Sequence, residues 1–311
     1  MLERGLAGRR LELHFESTLV AFFNSMSSHE FVVEDFDLDA TLGSGQAFRW
    51  QRVSGRWSGV VGGHWLRLTQ DPETRVLRAD IVPEVDDWRW LRTYLQLDCR
   101  LADVLDSFPK DAVLVEAVGK WRGLRLLRQD PWECLATFIL SSTKQIVQIQ
   151  QIVMLLCERF GEVIATDDDG SPVYAFPTAA RLGSVGEAAL RDCKMGFRAP
   201  NLLACARTIS DGSLDLEAIR KRPLNEAREA LMRLPGVGPK IADCALLFAF
   251  GFAEAFPVDV WIARVLTNYY FNGKPVALPV LRSFVLGHFG PHAGYAQQYL
   301  FHHIRMLSKS S

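Results

Sequence analysis

The stretch LNEAREALMRLPGVGPKIADCALLFAFG, Leu224 to Gly251, decides the fold. Apolar residues recur at helical spacing on both sides of LPGVG, so it reads as helix, tight turn, helix. Gly236 and Gly238 can take positive φ and let the backbone approach a ligand closely, and Pro239 suits the first turn of the second helix. Such a turn points unpaired N–H groups outward at a helix N-terminus, which is a seat for a phosphate. Glycine spacing alone fits a plain connection between two packed helices equally well.

Lys240 shifts that balance. It follows the turn at once, on a helix that continues Ile241, Ala242, Cys244, Ala245, Leu246, Leu247, Phe248, Ala249, Phe250. A lysine at a positive helix end beside an apolar wall is poorly placed as a surface charge. Both the helix dipole and desolvation favour the neutral amine that a nucleophile requires. The alternative is an ammonium that snorkels to solvent or touches a phosphate. Nineteen residues on, FPVDVWIARVL sets Asp259 ahead of an amphipathic helix. By itself Asp259 is a helix N-cap; with Lys240 it is a carboxylate able to support developing positive charge or to handle a proton.

Working outward, the 311 residues are 49% hydrophobic and 23% charged, the composition of a folded protein whose length suits two domains. From Phe31 to Leu68 the chain reads as short strands: FVVEDFDL, then TLGSG, QAFRWQRV, WSGVVG and HWLRLTQ, with VLRADIV following from Val76. After Pro83 the spacing turns helical, and DDWRWLRTYLQL puts Trp88, Leu91 and Leu95 on one face. Further helices are expected at PWECLATFILSS with Asp130 as N-cap, KQIVQIQQIVMLLCERFG, AARLGS, EAALRDCKMG, PNLLACARTIS and LDLEAIRKR. TDDDGSPVYAFP, from Thr166 to Pro177, is the clearest loop by composition, and a shorter break falls near Asn272 to Pro279.

The formal net charge is -1, which excludes a bulk polycation, but it is unevenly divided. Residues 1 to 119 hold 13 basic and 19 acidic side chains, residues 120 to 311 hold 22 and 17, and residues 220 to 311 alone hold 11 and 5. The six cysteines are widely spread with no C-x-x-C pair, the pattern of free thiols in a reducing compartment, and no zinc or iron–sulfur ligand set is visible. IADCALLFAFGFA falls short of the roughly 20 residues that span a bilayer, so a soluble, intracellular protein is expected. The first residues mix Arg4, Arg9 and Arg10 with Glu3, Glu12 and Glu16, unlike a signal or transit peptide, and Met26 offers a second start.

LPGVGPKIADC followed by FPVDV resembles the helix-hairpin-helix DNA glycosylases. GQAFRW, RLLRQDPWECLATFILSS, MGFRA and GPHAGYAQQYLF resemble the 8-oxoguanine DNA glycosylase branch in the same order, over roughly residues 31 to 307. The resemblance implies an α+β, mainly α fold: an extension of unknown role (1–30), a small antiparallel-sheet domain (31–119) and a two-lobed helical catalytic domain (120–311). It implies an enzyme that flips 8-oxoguanine out of duplex DNA, displaces it with a lysine amine to leave a Schiff base, and nicks the strand by β-elimination. No cofactor is implied; the partners are damaged double-stranded DNA and, downstream, an AP endonuclease and a polymerase, with no membrane and a monomeric chain.

Carried over position by position, Lys240 is the nucleophile and Asp259 the catalytic aspartate. Gly45 supplies a carbonyl to the N7–H that 8-oxoguanine has and guanine lacks. Cys244 and Phe301 stack on the two faces of the base, Phe248 adds to the pocket, and Gln297 addresses the Watson–Crick edge. Outside the resemblance, Cys244 and Phe301 read as core residues and Gln297 as a surface amide. DNA contacts fall to Gly236, Val237 and Gly238 of the hairpin, and the fold allows a cation on the carbonyls of Met232, Leu234 and Val237. Elsewhere the chain departs from the family. Thr143, Lys144 and Gln145 stand where asparagines help fill the gap left by the flipped base. Gln148 replaces an arginine that reads the opposite cytosine, Phe197 a tyrosine wedge and Trp261 a phosphate-binding histidine, while Arg198 keeps the second cytosine-reading arginine. A weakened preference for cytosine is expected. Two other readings compete: a glycosylase for another damaged base, disfavoured by Lys240 and by the absence of cysteines after Cys244, and a hairpin scaffold without chemistry, disfavoured by the Lys240 and Asp259 pair.

Overall fold

The computed structural model describes residues 25–71, 73–142 and 144–310. Most of the N-terminal extension, residues 1–24, and Thr143 lie outside the described residues.

The first part is an antiparallel sheet in the order β1-β5-β4-β3-β2. Its strands are β1 (Ser27–Val32), β2 (Gln51–Val53), β3 (Arg56–Val61), β4 (His64–Asp71) and β5 (Val76–Val82), with α1 (Leu38–Gly43) between the first two. β1 returns to pair with β5, Phe31 opposite Leu77, so strands distant in sequence close one face. Alternation sends Leu66, Leu68, Leu77, Ala79 and Ile81 to that face, all of them 0% exposed. α2 (Arg89–Tyr94) covers it with Leu91 and Tyr94, and Leu95 follows as its C-cap. The Trp88, Leu91 and Leu95 face is thus the one that packs on the sheet.

The second part is helical: α3 (Leu101–Asp106), α4 (Ala112–Trp121), α5 (Pro131–Leu140) and α6 (Ile146–Phe160), then a two-stranded hairpin, β6 (Val163–Thr166) and β7 (Pro172–Tyr174). There follow α7 (Ala179–Ser184), α8 (Glu187–Leu190), α9 (Ala199–Ser210), α10 (Leu216–Ile219), α11 (Leu224–Met232), α12 (Pro239–Ala245), α13 (Val260–Val265), α14 (Leu278–Phe289) and α15 (Ala293–Ser310). α12 runs on through a π turn, Leu246–Phe250, and stops at Gly251 with φ +85°. Ile241–Phe250 is buried throughout, so the apolar run is the central helix of the bundle. Among the described residues no helix is long and apolar enough to cross a membrane.

Three expectations need correction. FVVEDFDL is not one strand: the chain leaves the sheet after Val32, and Asp37 caps α1 by accepting from the Ala40 N–H at 2.8 Å. Leu38 and Leu42, four apart, bury one face of that single helical turn and its successor. In QAFRWQRV only Gln51–Val53 pairs as strand, opposite Arg56–Ser58, and the residues before it form a loop tied down by the Gln46 side chain. TDDDGSPVYAFP is not plain loop, since Asp167 accepts from the N–H groups of Asp169 (3.0 Å) and Ser171 (2.8 Å) and so folds the turn joining β6 to β7.

The two parts interlock. Leu127 packs in the core of the sheet, while Ala40 and Phe48 pack in the core of the helices. Arg125, 2% exposed, donates to the carbonyls of Glu34 (2.8 Å), Asp35 (3.1 Å), Gln96 (3.3 Å) and Cys99. A guanidinium with that many backbone acceptors staples the segment around Arg125 to the end of β1 and the turn after α2.

Candidate active site

The hairpin after α11 is fixed from behind. Gly236 has φ +76°, and a β-carbon there would stand 2.6 Å from the Asn201 amide nitrogen. Both facts demand glycine. The Cys205 thiol donates to the Pro235 carbonyl at 3.2 Å, and the Val237 N–H closes the turn on the Leu234 carbonyl at 3.1 Å. Gly238 does not use that freedom: its φ is −89° as the N-cap of α12, with open space on its β-carbon side. Its glycine leaves the backbone accessible, a service to close approach and not to conformation. The Val237 side chain is buried in the core, so only its backbone can face a ligand.

The hairpin delivers Lys240 to the rim of a cleft of about 1330 Å³, lined also by Gly45, Cys244, Phe248, Asp259, Trp261 and Gln297, with Phe301 and Lys144. The Lys240 ammonium donates to Ser141 Oγ at 3.0 Å and sits 5.0 Å from the centre of the Phe138 ring. Phe138 in turn stacks on Phe248, with centroids 5.6 Å apart and planes 12° from parallel. No carboxylate among the described residues closes to ion-pair distance on Lys240. The Ser141 hydroxyl and the Phe138 ring, itself backed by Phe248, hold it in place.

Asp259 caps α13, its Oδ1 accepting from the N–H groups of Trp261 (3.0 Å) and Ile262 (2.8 Å). Burial is the largest influence on its carboxyl and raises its pKa above the ordinary value; the Ile262 N–H and the Lys240 charge oppose that rise. Cys244, one helical turn beyond Lys240, is buried, and burial pushes its thiol up to about 12 despite the nearby lysine. It therefore presents a neutral, polarisable face.

The opposite wall comes from SGQAFRW and α15. Gly45 has φ +82°, and a β-carbon there would meet Arg305 Nη1 at 2.6 Å and the Ile146 methyl at 2.7 Å. Its loop is tied down on every side. Gln46 Nε2 donates to the carbonyls of Thr41 (3.0 Å) and Arg125 (2.8 Å), and Gln46 Oε1 accepts from the Leu127 N–H at 2.8 Å. Gln298 Nε2 donates to the Ser44 carbonyl at 3.2 Å, and Arg305 Nη2 donates to the Gly43 carbonyl. Gln297 is 4% exposed, and its side-chain oxygen has no hydrogen-bond partner. It is no surface amide, and a buried acceptor without a partner on a residue that lines the cleft asks for a donor.

Of the other expected residues, Gln148, Phe197 and Arg198 lie apart from the cleft. Gln148 is exposed and accepts from the Gln145 N–H at 3.1 Å, completing the capping box of α6. Phe197 and Arg198 do not line the cleft. Phe197 is 61% exposed, whereas Arg198 is 3% exposed, its guanidinium 4.2 Å from the Phe197 ring centre. Trp261 puts an indole on the cleft wall where the resemblance expects an imidazole. Among the described residues no group of three or more His, Cys, Asp or Glu is placed to hold a metal ion, and the six cysteines are free thiols. Sequence reading passed over Phe138, Ser141 and Arg305. Arg305 had a signal: Gln297, Phe301 and Arg305 recur every four residues and so form one stripe of α15.

A glycine hairpin with open space beside Gly238, a lysine on the next helix and a capping aspartate on the same cleft define a class, the helix-hairpin-helix base-excision DNA repair enzymes. Residues 136–282 match the model of the HhH-GPD superfamily base excision DNA repair protein, and residues 30–135 match that of the 8-oxoguanine DNA glycosylase N-terminal domain. The chain belongs to the 8-oxoguanine DNA glycosylase family. It is 32% identical over 301 residues to a probable N-glycosylase/DNA lyase of Methanothermobacter thermautotrophicus, covering 88% of this chain and 95% of that one. It is 30% identical to the N-glycosylase/DNA lyase of Saccharomyces cerevisiae, over 84% and 81% of the two chains. A Clostridium acetobutylicum 8-oxoguanine glycosylase/lyase, solved with double-stranded DNA containing cytosine opposite 8-oxoG, superposes with TM-score 0.83 at 30% identity, over 92% of this chain and 99% of that one.

Proposed function

We propose that this chain is a bifunctional DNA repair glycosylase and AP lyase that excises 8-oxoguanine through Lys240. The observation that carries the reading is Lys240 itself, held by Ser141 and Phe138 on the wall of a cleft large enough for an extruded nucleotide. Its amine, once deprotonated, attacks the anomeric carbon and displaces the base. The nitrogen then forms an imine with the opened sugar, and loss of the 3′ phosphate by β-elimination cuts the strand. The Asp259 carboxylate, fixed by the first turn of α13, offsets positive charge developing on the sugar. Gly45 offers its carbonyl to N7–H, Cys244 and Phe301 stack on the base, Phe248 backs the pocket and Gln297 takes the Watson–Crick edge. The unpaired oxygen of Gln297 is the polar group that a guanine edge, rich in N–H donors, would satisfy.

Outside the pocket, Gly236 and Gly238 offer backbone N–H groups to a phosphate, while Val237, whose own N–H is spent on the Leu234 carbonyl, contributes its carbonyl, with those of Met232 and Leu234, to an accessory cation. Lys144, Gln148 and Trp261 line the DNA path, and exposed Phe197 is the wedge. Arg198 reads the opposing base only by leaving its buried place over Phe197, which supports the expectation of a weak preference for cytosine. The protein acts as a monomer in a reducing compartment and hands its product to an AP endonuclease and a polymerase.

Borohydride trapping on a duplex with 8-oxoguanine opposite cytosine tests the chemistry. The parent chain should give a covalent adduct and Lys240→Gln none; absence of adduct from the parent would sink the Schiff-base mechanism. Repeating the trap with oxidised pyrimidines or alkylated bases fixes the substrate class.

A further inference from the structure

Arg305 lies on α15 one turn beyond Phe301, and it lines the same cleft as Gly45 and Gln297. It is 8% exposed. Among the described residues no carboxylate pairs with it: Nη2 donates to the Gly43 carbonyl, its contact with His302 Nδ1 spans 3.5 Å, and its carbon centre stands 5.6 Å from the Phe301 ring centre. Nε is buried without a partner. A guanidinium removed from water with so few acceptors is costly to keep, and its placement beside the lesion pocket supplies a reason for keeping it. Nη1 comes within 2.6 Å of the point where a Gly45 β-carbon would stand, so this donor and the Gly45 backbone share one corner of the cleft.

That corner matches the oxidised edge of the lesion. 8-Oxoguanine differs from guanine by two adjacent groups: an N–H at N7 and a carbonyl at C8. The Gly45 carbonyl answers the first. The geometry points to Arg305 as a specificity-determining residue that donates a hydrogen bond from Nη1 to the C8 carbonyl oxygen of the extruded base. This rests on the 8-oxoguanine reading above and deepens it, because the pocket then reads both halves of the oxidised edge. The donor is charged, and water is largely excluded from its site, so the contact is of the stronger kind.

The experiment compares single-turnover excision of 8-oxoguanine with that of 8-thioguanine, which keeps N7–H but replaces the C8 oxygen by sulfur, a poor acceptor. In the parent chain the ratio of the two rates should favour the oxygen. Arg305→Leu should lower that ratio roughly tenfold to a hundredfold, the worth of a hydrogen bond to a charged group, and Arg305→Lys should fall between. Each ratio is internal to one protein preparation, so a variant that loses folded molecules loses them for both substrates. An unchanged ratio in Arg305→Leu, with both rates equally reduced or both intact, overturns the inference and leaves the glycosylase reading standing. A parent chain that excises neither base overturns the reading itself, and this inference with it.

Discussion

The Asp259 carboxylate accepts two backbone hydrogen bonds at the start of α13, so an amide can replace it as a cap but not as a charge. Asp259→Asn should therefore keep the melting temperature within about 2 °C while excision falls on the order of 100-fold. Asp259→Ala loses the cap as well and should be destabilised by about 1 kcal/mol. Thermal melts beside single-turnover rates separate the two effects, and an active Asp259→Asn enzyme would remove the carboxylate from the chemistry. The pH behaviour follows from burial, which raises this group above 3.8. On the proposed mechanism the ionised carboxylate supports excision, so the rate should climb with pH through the raised value. Stability moves the other way. As pH rises from 3.8 through the folded pKa, the native state holds the proton that the unfolded chain releases, and ionisation then works against the fold. Asp259→Asn should accordingly gain stability relative to the parent across that window.

The hairpin between α11 and α12 separates two roles that look alike in sequence. Gly236 is required by its φ of +76° and by Asn201 behind it, whereas Gly238 has an ordinary φ and empty space beside it. Gly236→Ala should cost about 1–3 kcal/mol of stability. Gly238→Ala should cost under about 1 kcal/mol, since alanine is only a poorer N-cap, yet weaken binding to abasic-site duplex by crowding a phosphate. Chemical denaturation and fluorescence-anisotropy titration distinguish them, and equal destabilisation by both would contradict the assignment. The helix–turn–helix was legible because its apolar periodicity is strong and its punctuation unambiguous. α1 was not: six residues are too few to establish a period, and the Asp37 cap is visible only once Ala40 is seen beneath it. The β6–β7 hairpin was hidden because its turn is built from the polar residues that usually mark plain loop.

At the scale of the molecule, the net charge of -1 resolves into an acidic sheet part and a basic helical part, with a surplus of +6 in residues 220 to 311. A one-sided footprint that neutralises roughly three to five phosphates should give a log K against log salt slope of about −3 to −4.5. A titration of binding to 8-oxoguanine duplex between low and high salt checks this; a slope near zero would place the DNA elsewhere. The hairpin, Lys240, Asp259 and the order of motifs were determined by sequence alone, because each depends on local spacing that no distant contact alters. Only the tertiary structure decided that Gly45 and Arg305 meet, that Lys240 rests on Ser141 and Phe138, and that Gln297 is buried with an open oxygen. Those are contacts between segments up to 260 residues apart (45 to 305). Residue type reports what such a side chain can do, but its neighbours are fixed by how the sheet and the helices pack, and that packing follows from the summed burial of both cores.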